Sequence, residues 1–229
     1  MLHTSLLTVV CQFYVHQKNG EVQMPKSYKK YYISDLYFRE TFETGMIREE
    51  DLQKIQAIND KVFYPDRLYI LGDLTSSSSN PLKLLVKLLP LIVCKTIYIV
   101  QGNHEGPRVL DALVEMKLIK NWVPALKTVK DEAFGAEFEL ALAHYPVSNV
   151  FMQPEPIALL HGHTHGQNEL AYPWQFDVSY DAQKMPMTFE ELLSKYFGHH
   201  ANPLTGYIDY KNEFIRQHME FQKEMQGLR

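Results

Sequence analysis

Cysteine is scarce in this sequence: only Cys11 and Cys94 occur in 229 residues, and neither belongs to a CxxC pair. That excludes a disulfide scaffold and a thiolate-held structural zinc, and it predicts free thiols in a reducing compartment. Positive charge is also in deficit, with 23 Lys and Arg against 27 Asp and Glu and a formal net charge of −4. Such a chain lacks the electrostatic footprint needed to grip a long nucleic acid. A small phosphorylated ligand stays open, because a metal can supply positive charge locally. No apolar run is clean enough to cross a membrane. "LKLLVKLLPLIVCKTIYIV", from Leu82, is interrupted by Lys83, Lys87, Pro90 and Lys95, and reads as a helix followed by a buried strand. "LLTVVCQFYV", from Leu6, has no basic stretch before it and no small-residue cleavage site after it, so a cytoplasmic protein is expected. Internal repeats are absent, and "SSSS" at 76–79 is too short to be a linker.

What is present is an ordinary globular composition, 45% hydrophobic and 22% charged, enough for one sizeable core. Strand and helix patterns alternate along it. "KYYIS", "RLYIL", "TIYIV", "EFELALAH", "IALL" and "WQFDVSYD" read as strands. Between and after them, helices are expected on the stripe Leu52, Ile55, Ile58, Val62, on "PLKLLVKLL" with Pro81 near its start, on "PRVLDALVEMK" and on "TFEELLSKYF". The economical architecture is α/β with layered helices and sheets. Residues 1–30 read as an added hairpin around "QKNG", 31–200 as the main domain, and 201–229 as a helical extension whose stripe Phe214, His218, Phe221, Met225 is a packing face.

Chemistry-bearing residues recur in one topological place, just after a buried strand. Asp35 follows "YYIS", Gly72-Asp73 follows "RLYIL", and Asn103-His104-Glu105 follows "TIYIV". His144 follows "ELALA", and "HGHTH" follows "IALL". Any one of these alone is better explained as a helix or turn cap. As a set they point to the crevice beyond strand carboxyl ends, where α/β folds bind ligands. His161, His163 and His165 stand two apart, so in an extended segment their imidazoles share one side. They are candidate metal ligands, the alternative being a His-rich turn with no such role. Carboxylate, amide and imidazole donors together suit Mn, Fe, Zn or Ni.

In order, "SDLYF", "GDLT", "GNHE", "AHYP" and "GHTHG" resemble the signature D-x-H, G-D, G-N-H-[DE], H, G-H-x-H of the calcineurin-like metallophosphoesterases, in their compact bacterial and phage-encoded branch. The resemblance runs from about Tyr31 to about Phe197. It implies a four-layer αββα sandwich with the site along one edge, and two divalent metal ions about 3.5–4 Å apart. Carried over residue by residue, Asp35 and His165 would hold the first ion, Asn103, His144 and His163 the second, and Asp73 would bridge them. His104 would be the catalytic residue, stabilising the phosphate or protonating the leaving group. Glu105 would orient that loop or His104, and His161 matches a non-ligand position. The implied activity is hydrolysis of a small phosphomonoester or phosphodiester, a nucleotide among the candidates, by in-line attack of a metal-bridging hydroxide.

One position departs from the pattern. Where the family has His, two residues after the first Asp, this chain has Tyr37. Three readings follow. Tyr37 fills space and leaves a weak first site, or it ligates ferric iron as phenolate, or the first site is dead and the protein is a non-catalytic interaction module on the same fold. With every other motif residue in place, the enzyme reading leads. A protein phosphatase ranks low, because that branch extends the second motif with Asp-Arg where "GDLTSS" stands here. "TSSSSN", His199-His200 and the tryptophans Trp122 and Trp174 are weaker candidates, for a phosphate loop, a second metal site and nucleobase stacking respectively.

Overall fold

Eight strands form among the described residues, sorted into two four-stranded sheets, and those of the first sheet are rich in β-branched and aromatic residues. A computed structural model describes residues 28–40, 46–76, 80–147, 158–167 and 174–197, with Arg216, Met219, Glu220, Lys223 and Glu224 of the tail. The first sheet is parallel, in the order β1 (Lys30–Ile33), β2 (Arg67–Ile70), β3 (Thr96–Val100), β4 (Asn121–Val123). Crossovers between these strands carry helices α1 (Glu49–Asn59), α2 (Pro81–Leu88) and α3 (Pro107–Glu115). The second sheet runs β5 (Leu126–Ala133), β6 (Ala136–Ala143), β7 (Ala158–His161), β8 (Gln175–Asp177), antiparallel only at β5–β6. Helices α4 (Tyr180–Gln183) and α5 (Phe189–Phe197) follow.

The first sheet is apolar on both faces because both are covered. Ile33, Leu68, Ile70, Ile97 and Ile99 point into one core with Ile55, Ile58, Leu84, Leu88 and Leu110 from the helices. Their strand neighbours Tyr32, Tyr69, Leu71 and Val100 point the other way, into a core shared with Leu140, Leu142, Leu160 and Phe176 of the second sheet and Leu192 and Leu193 of α5. Helices, first sheet and second sheet thus make three layers. On the outer face of the second sheet, Ala141, Ala143 and Leu159 are buried, and the described residues packed on them are Leu126 and Val147. The fourth, helical layer implied by the resemblance is not among the described residues.

The two sheets join at the edge strand β1. The Ser34 N–H donates to the Val178 carbonyl at 3.0 Å, and the Tyr180 N–H donates to the Ser34 carbonyl at 2.9 Å. This stitch brings the carboxyl end of β1 beside those of β7 and β8.

Several local expectations change in the folded chain. α1 presents Asp51, Lys54, Ile55 and Ile58 inward, while Leu52 is exposed. The polar pair has work there: Asp51 accepts from the Arg39 N–H at 2.9 Å, and Lys54 Nζ donates to the Leu36 carbonyl at 2.7 Å. "WQFDVSYD" is a strand only to Asp177, since Ser179 caps α4 by accepting from the Ala182 N–H. β4 and β5 were not expected. β5 is charged along its length, and it pairs with β6 through the two-residue turn Phe134-Gly135, both at positive φ. Asn80 caps α2 ahead of Pro81, as a loop leading to a helix cap requires. Trp174 is fully buried between the sheets, so it is not free to stack a base, while Trp122 is partly exposed, donates to Asp111 at 2.9 Å and packs on the helix-side core. Cys94 is a free, buried thiol. The hairpin around "QKNG", the tail stripe, His199-His200 and Cys11 lie outside the described residues. No helix among the described residues is long and apolar enough to cross a membrane.

Phe176 locks the inter-sheet core by edge contacts to Trp174, Phe189 and Tyr196, with ring centroids 5.3–6.1 Å apart. Phe176→Ala is expected to cost about 3–5 kcal/mol, read as a lowered midpoint in equilibrium urea unfolding.

Candidate metal centre

All the strand-end residues singled out by sequence converge on one edge. Asp73, at the end of β2, is fully buried and lies at the centre. Its Oδ1 accepts from the backbone N–H groups of Asn103 at 2.9 Å and His104 at 3.2 Å. Its Oδ2 accepts from the Tyr37 hydroxyl at 2.8 Å and lies 3.4 Å from His144 Nε2 and 3.7 Å from His104 Nε2. Burial alone would raise this carboxyl's pKa. The His144 and Tyr37 hydrogen bonds and the nearby imidazoles outweigh it and hold the pKa at about 2.

Two glycines make this approach possible. A Cβ on Gly72 would stand 2.6 Å from both Gly102 Cα and His144 Nδ1, and the backbone there has φ +86°. A Cβ on Gly102 would stand 2.6 Å from the Asp73 backbone nitrogen. The strand ends therefore meet backbone to backbone, and the motif glycines are steric requirements.

His144 is a candidate ligand. Its Nδ1 lies 2.8 Å from the Leu71 carbonyl, so that nitrogen carries the hydrogen and Nε2 is left to face Asp73 and Asn103 Oδ1, the latter at 2.9 Å. Metal-binding histidines are oriented in this way. Burial opposes charging His144, but the Asp73 carboxylate prevails and its pKa is raised. His163 completes a triad: ligand atoms of Asp73, His144 and His163 all lie within 4.8 Å of one another. The His163 ring stands edge-on to His144 and to Tyr145, and the Tyr145 hydroxyl donates to Asn103 Oδ1 at 3.2 Å.

Asp35 and His165 form the other half. Asp35 Oδ2 accepts from the Ser34 hydroxyl at 2.6 Å and the His163 N–H at 2.9 Å. Its buried Oδ1 has no hydrogen-bond partner and lies 3.7 Å from His165 Nε2. Burial pushes the Asp35 pKa up despite those donors. His165 Nδ1 lies 2.8 Å from Asp181 Oδ2, which turns Nε2 inward. An orphaned carboxylate oxygen opposite an inward imidazole, next to a triad of ligand atoms, fits divalent cations bound by oxygen and nitrogen.

Tyr37 stands among them. Its ring stacks on His165 and meets His104 edge-on, with centroids 5.1 and 5.2 Å apart, and its hydroxyl lies 3.2 Å from His165 Nε2. Burial, then the bond to Asp73, then the charges of Asp73 and Asp35 push its pKa well above the usual phenol range. Without a bound cation, these surroundings favour the neutral phenol.

Glu105 is drawn away from the centre. Its buried carboxylate accepts from the Thr75 N–H and from the Thr75 hydroxyl, the latter at 2.8 Å, so it fixes the loop after Asp73. Burial raises its pKa. His161 is buried with Nδ1 3.0 Å from the Gly162 carbonyl, its pKa lowered by burial, and it stays outside the ligand set. Sequence reasoning missed Ser34, Tyr145 and two aspartates. Asp177 accepts from the Thr164 hydroxyl and the Gly166 N–H, at 2.6 and 2.7 Å, and so shapes the histidine loop, while Asp181 turns His165. The signal for Asp177 lay in "FDVSYD", where it ends a strand as acidic residues do at the other sites, whereas Asp181 lies in the first turn of α4.

No protein-family model matches the chain, and no curated protein matches it. Among solved structures it is similar to a protein of unknown function from Aquifex aeolicus, with a TM-score of 0.51 at 16% identity. The match covers 71% of this chain and 96% of that one. At that identity the likeness is one of fold.

Proposed function

We propose that the protein is a metal-dependent phosphoesterase with a calcineurin-like fold, hydrolysing a small phosphomonoester or phosphodiester, a nucleotide among the candidates. The meeting of Asp73, His144 and His163 ligand atoms within 4.8 Å carries this reading. Asp73, His144 and His163, with Asn103 Oδ1 beside them, would hold a divalent cation, and Asp35 and His165 are the remaining members of the ligand set. A cation there supplies Lewis acidity toward phosphoryl oxygens and brings the pKa of a water toward neutrality. The net charge of −4 disfavours long nucleic acid as substrate.

The chain's own groups do the rest. Asp73 is kept fully ionised, so the centre has a permanent negative charge to hold a cation. The Leu71 carbonyl and Asp181 fix the tautomers of His144 and His165, leaving each Nε2 free to coordinate. His104 stands at the rim, partly exposed, with no contact that commits its ring to metal. From there an imidazolium can hand its proton to the leaving oxygen.

A screen with p-nitrophenyl phosphate, its bis ester and a nucleotide panel, in Mn, Ni, Zn, Co or Fe, tests the reading, and turnover with at least one metal is expected. Complete inactivity would favour the non-catalytic interaction module. Asp73→Asn is expected to abolish turnover and to lower metal content more than any other ligand substitution. A tightly bound metal surviving in that variant would refute the central role of Asp73. His104→Ala should leave metal content unchanged and slow the reaction by about 10²–10⁴. The loss should be smaller for nitrophenyl than for alkyl esters, because a good leaving group needs less protonation. An equal loss for both would assign His104 electrostatic stabilisation instead.

A further inference from the structure

We infer that the Tyr37 hydroxyl blocks one of the two cation positions, so that the protein takes up one divalent ion, at Asp73, His144 and His163, where the motif pattern implies two. The inference rests on the metal reading of this centre. A first-site cation would draw on Asp35 Oδ1, Asp73 Oδ2 and His165 Nε2. The Tyr37 oxygen lies 2.8 Å from the second of these and 3.2 Å from the third. A cation would have to approach the same lone pairs to about 2.0–2.2 Å. The hydroxyl hydrogen thus lies on a lone pair of Asp73 Oδ2 that such a cation would need, and the hydroxyl oxygen stands at the distance of a neighbouring ligand, a role for which a neutral phenol is poorly suited.

The side chain is held in that place from several sides. Its ring lies between His165, on which it stacks, and His104, which it meets edge-on. The Tyr37 N–H donates to the Asp73 carbonyl at 3.1 Å, so backbone and hydroxyl are both tied to the same residue. The residue adopts φ +46°, a costly conformation for a side chain of this size, kept only because the surroundings over-determine it. Swinging the ring out to admit a second ion would break the stack and the Asp73 bond together. The triad is less obstructed: it shares Asp73 with the Tyr37 hydroxyl, but that hydroxyl bonds neither His144 nor His163, whereas it lies 3.2 Å from His165 Nε2.

The phenol hydrogen does for Asp73 Oδ2 part of what a second cation would do, without adding net charge. The buried Asp35 Oδ1 atom remains without a hydrogen-bond partner. Removing the hydroxyl would thus open a position that already has ligand atoms around it.

The probe is Mn(II), loaded in excess onto chelator-stripped full-length protein and counted by elemental analysis after removal of unbound ion. Low-temperature electron paramagnetic resonance of the same samples separates isolated from coupled ions. The wild type is expected to hold one Mn(II) per chain with the hyperfine pattern of an isolated ion. Tyr37→Phe, which deletes only the hydroxyl, and Tyr37→His, which adds an imidazole, should each approach two per chain, with a spin-coupled spectrum and tighter uptake in the histidine variant. Two coupled ions in the wild type would overturn the inference and leave the metal reading standing. One ion in all three proteins would overturn it as well, since removing the hydroxyl would then have opened nothing. No bound ion in the wild type would instead refute the metal reading itself.

Discussion

The Asp73 carboxylate is the interaction on which the rest of the centre depends. One oxygen takes two consecutive backbone N–H groups from the loop after β3, and the other takes the Tyr37 hydroxyl from the loop after β1 and faces His144 from the second sheet. A single side chain thus ties together three strand ends and both sheets. Fully buried, it is tolerable as a charge only because those donors surround it. The same closeness forbids a side chain at Gly72 or Gly102. The apolar cores bring the sheets together, and this carboxylate sets how their ends register.

Convergence at one edge is obtained with strained backbone. Asp35, Tyr37, Asp73, His163 and His165 are five of the nine non-glycine residues with positive φ among the described residues. That concentration marks the edge as the place where the fold is bent to serve side-chain placement. Buried polar anchors sustain it. Asp51 and Lys54 of α1 hold the backbone at Leu36 and Arg39, Glu105 holds Thr75, and Asp177 holds the histidine loop. An apolar side chain at any of these anchors would leave a loop amide or carbonyl without its partner.

The second sheet adds something the first cannot. Parallel strands of one sheet send Asp35, Asp73 and Asn103 to a common edge. The imidazoles of His144, His163 and His165 arrive from β6 and β7, across the inter-sheet core. Oxygen donors therefore come from one sheet and nitrogen donors from the other, and the centre exists only where the sandwich closes. Tyr37 is the exception, an aromatic ring from the first sheet's side inserted between histidines from both.

The sequence by itself determined the strands that end in polar residues, because a short apolar run stopping at Asp, Asn or His is visible without knowledge of partners. It also determined the helices with clear start signals, such as Asn80-Pro81, and the residues from which the centre is assembled. It did not expose β5, whose charged alternation reads as surface until β6 lies beside it, nor the inward turn of Asp51 and Lys54, whose partners are loop backbone atoms. Only the tertiary structure decided which lone pairs meet. Tyr37 and Asp73 are 36 residues apart and Tyr37 and His165 are 128 apart, yet one hydroxyl reaches both. Spacing along a chain fixes which face of a strand a residue occupies, but the approach of two strand ends depends on how separate sheets pack, and hydrogen bonds are sensitive to that approach at the scale of tenths of an ångström.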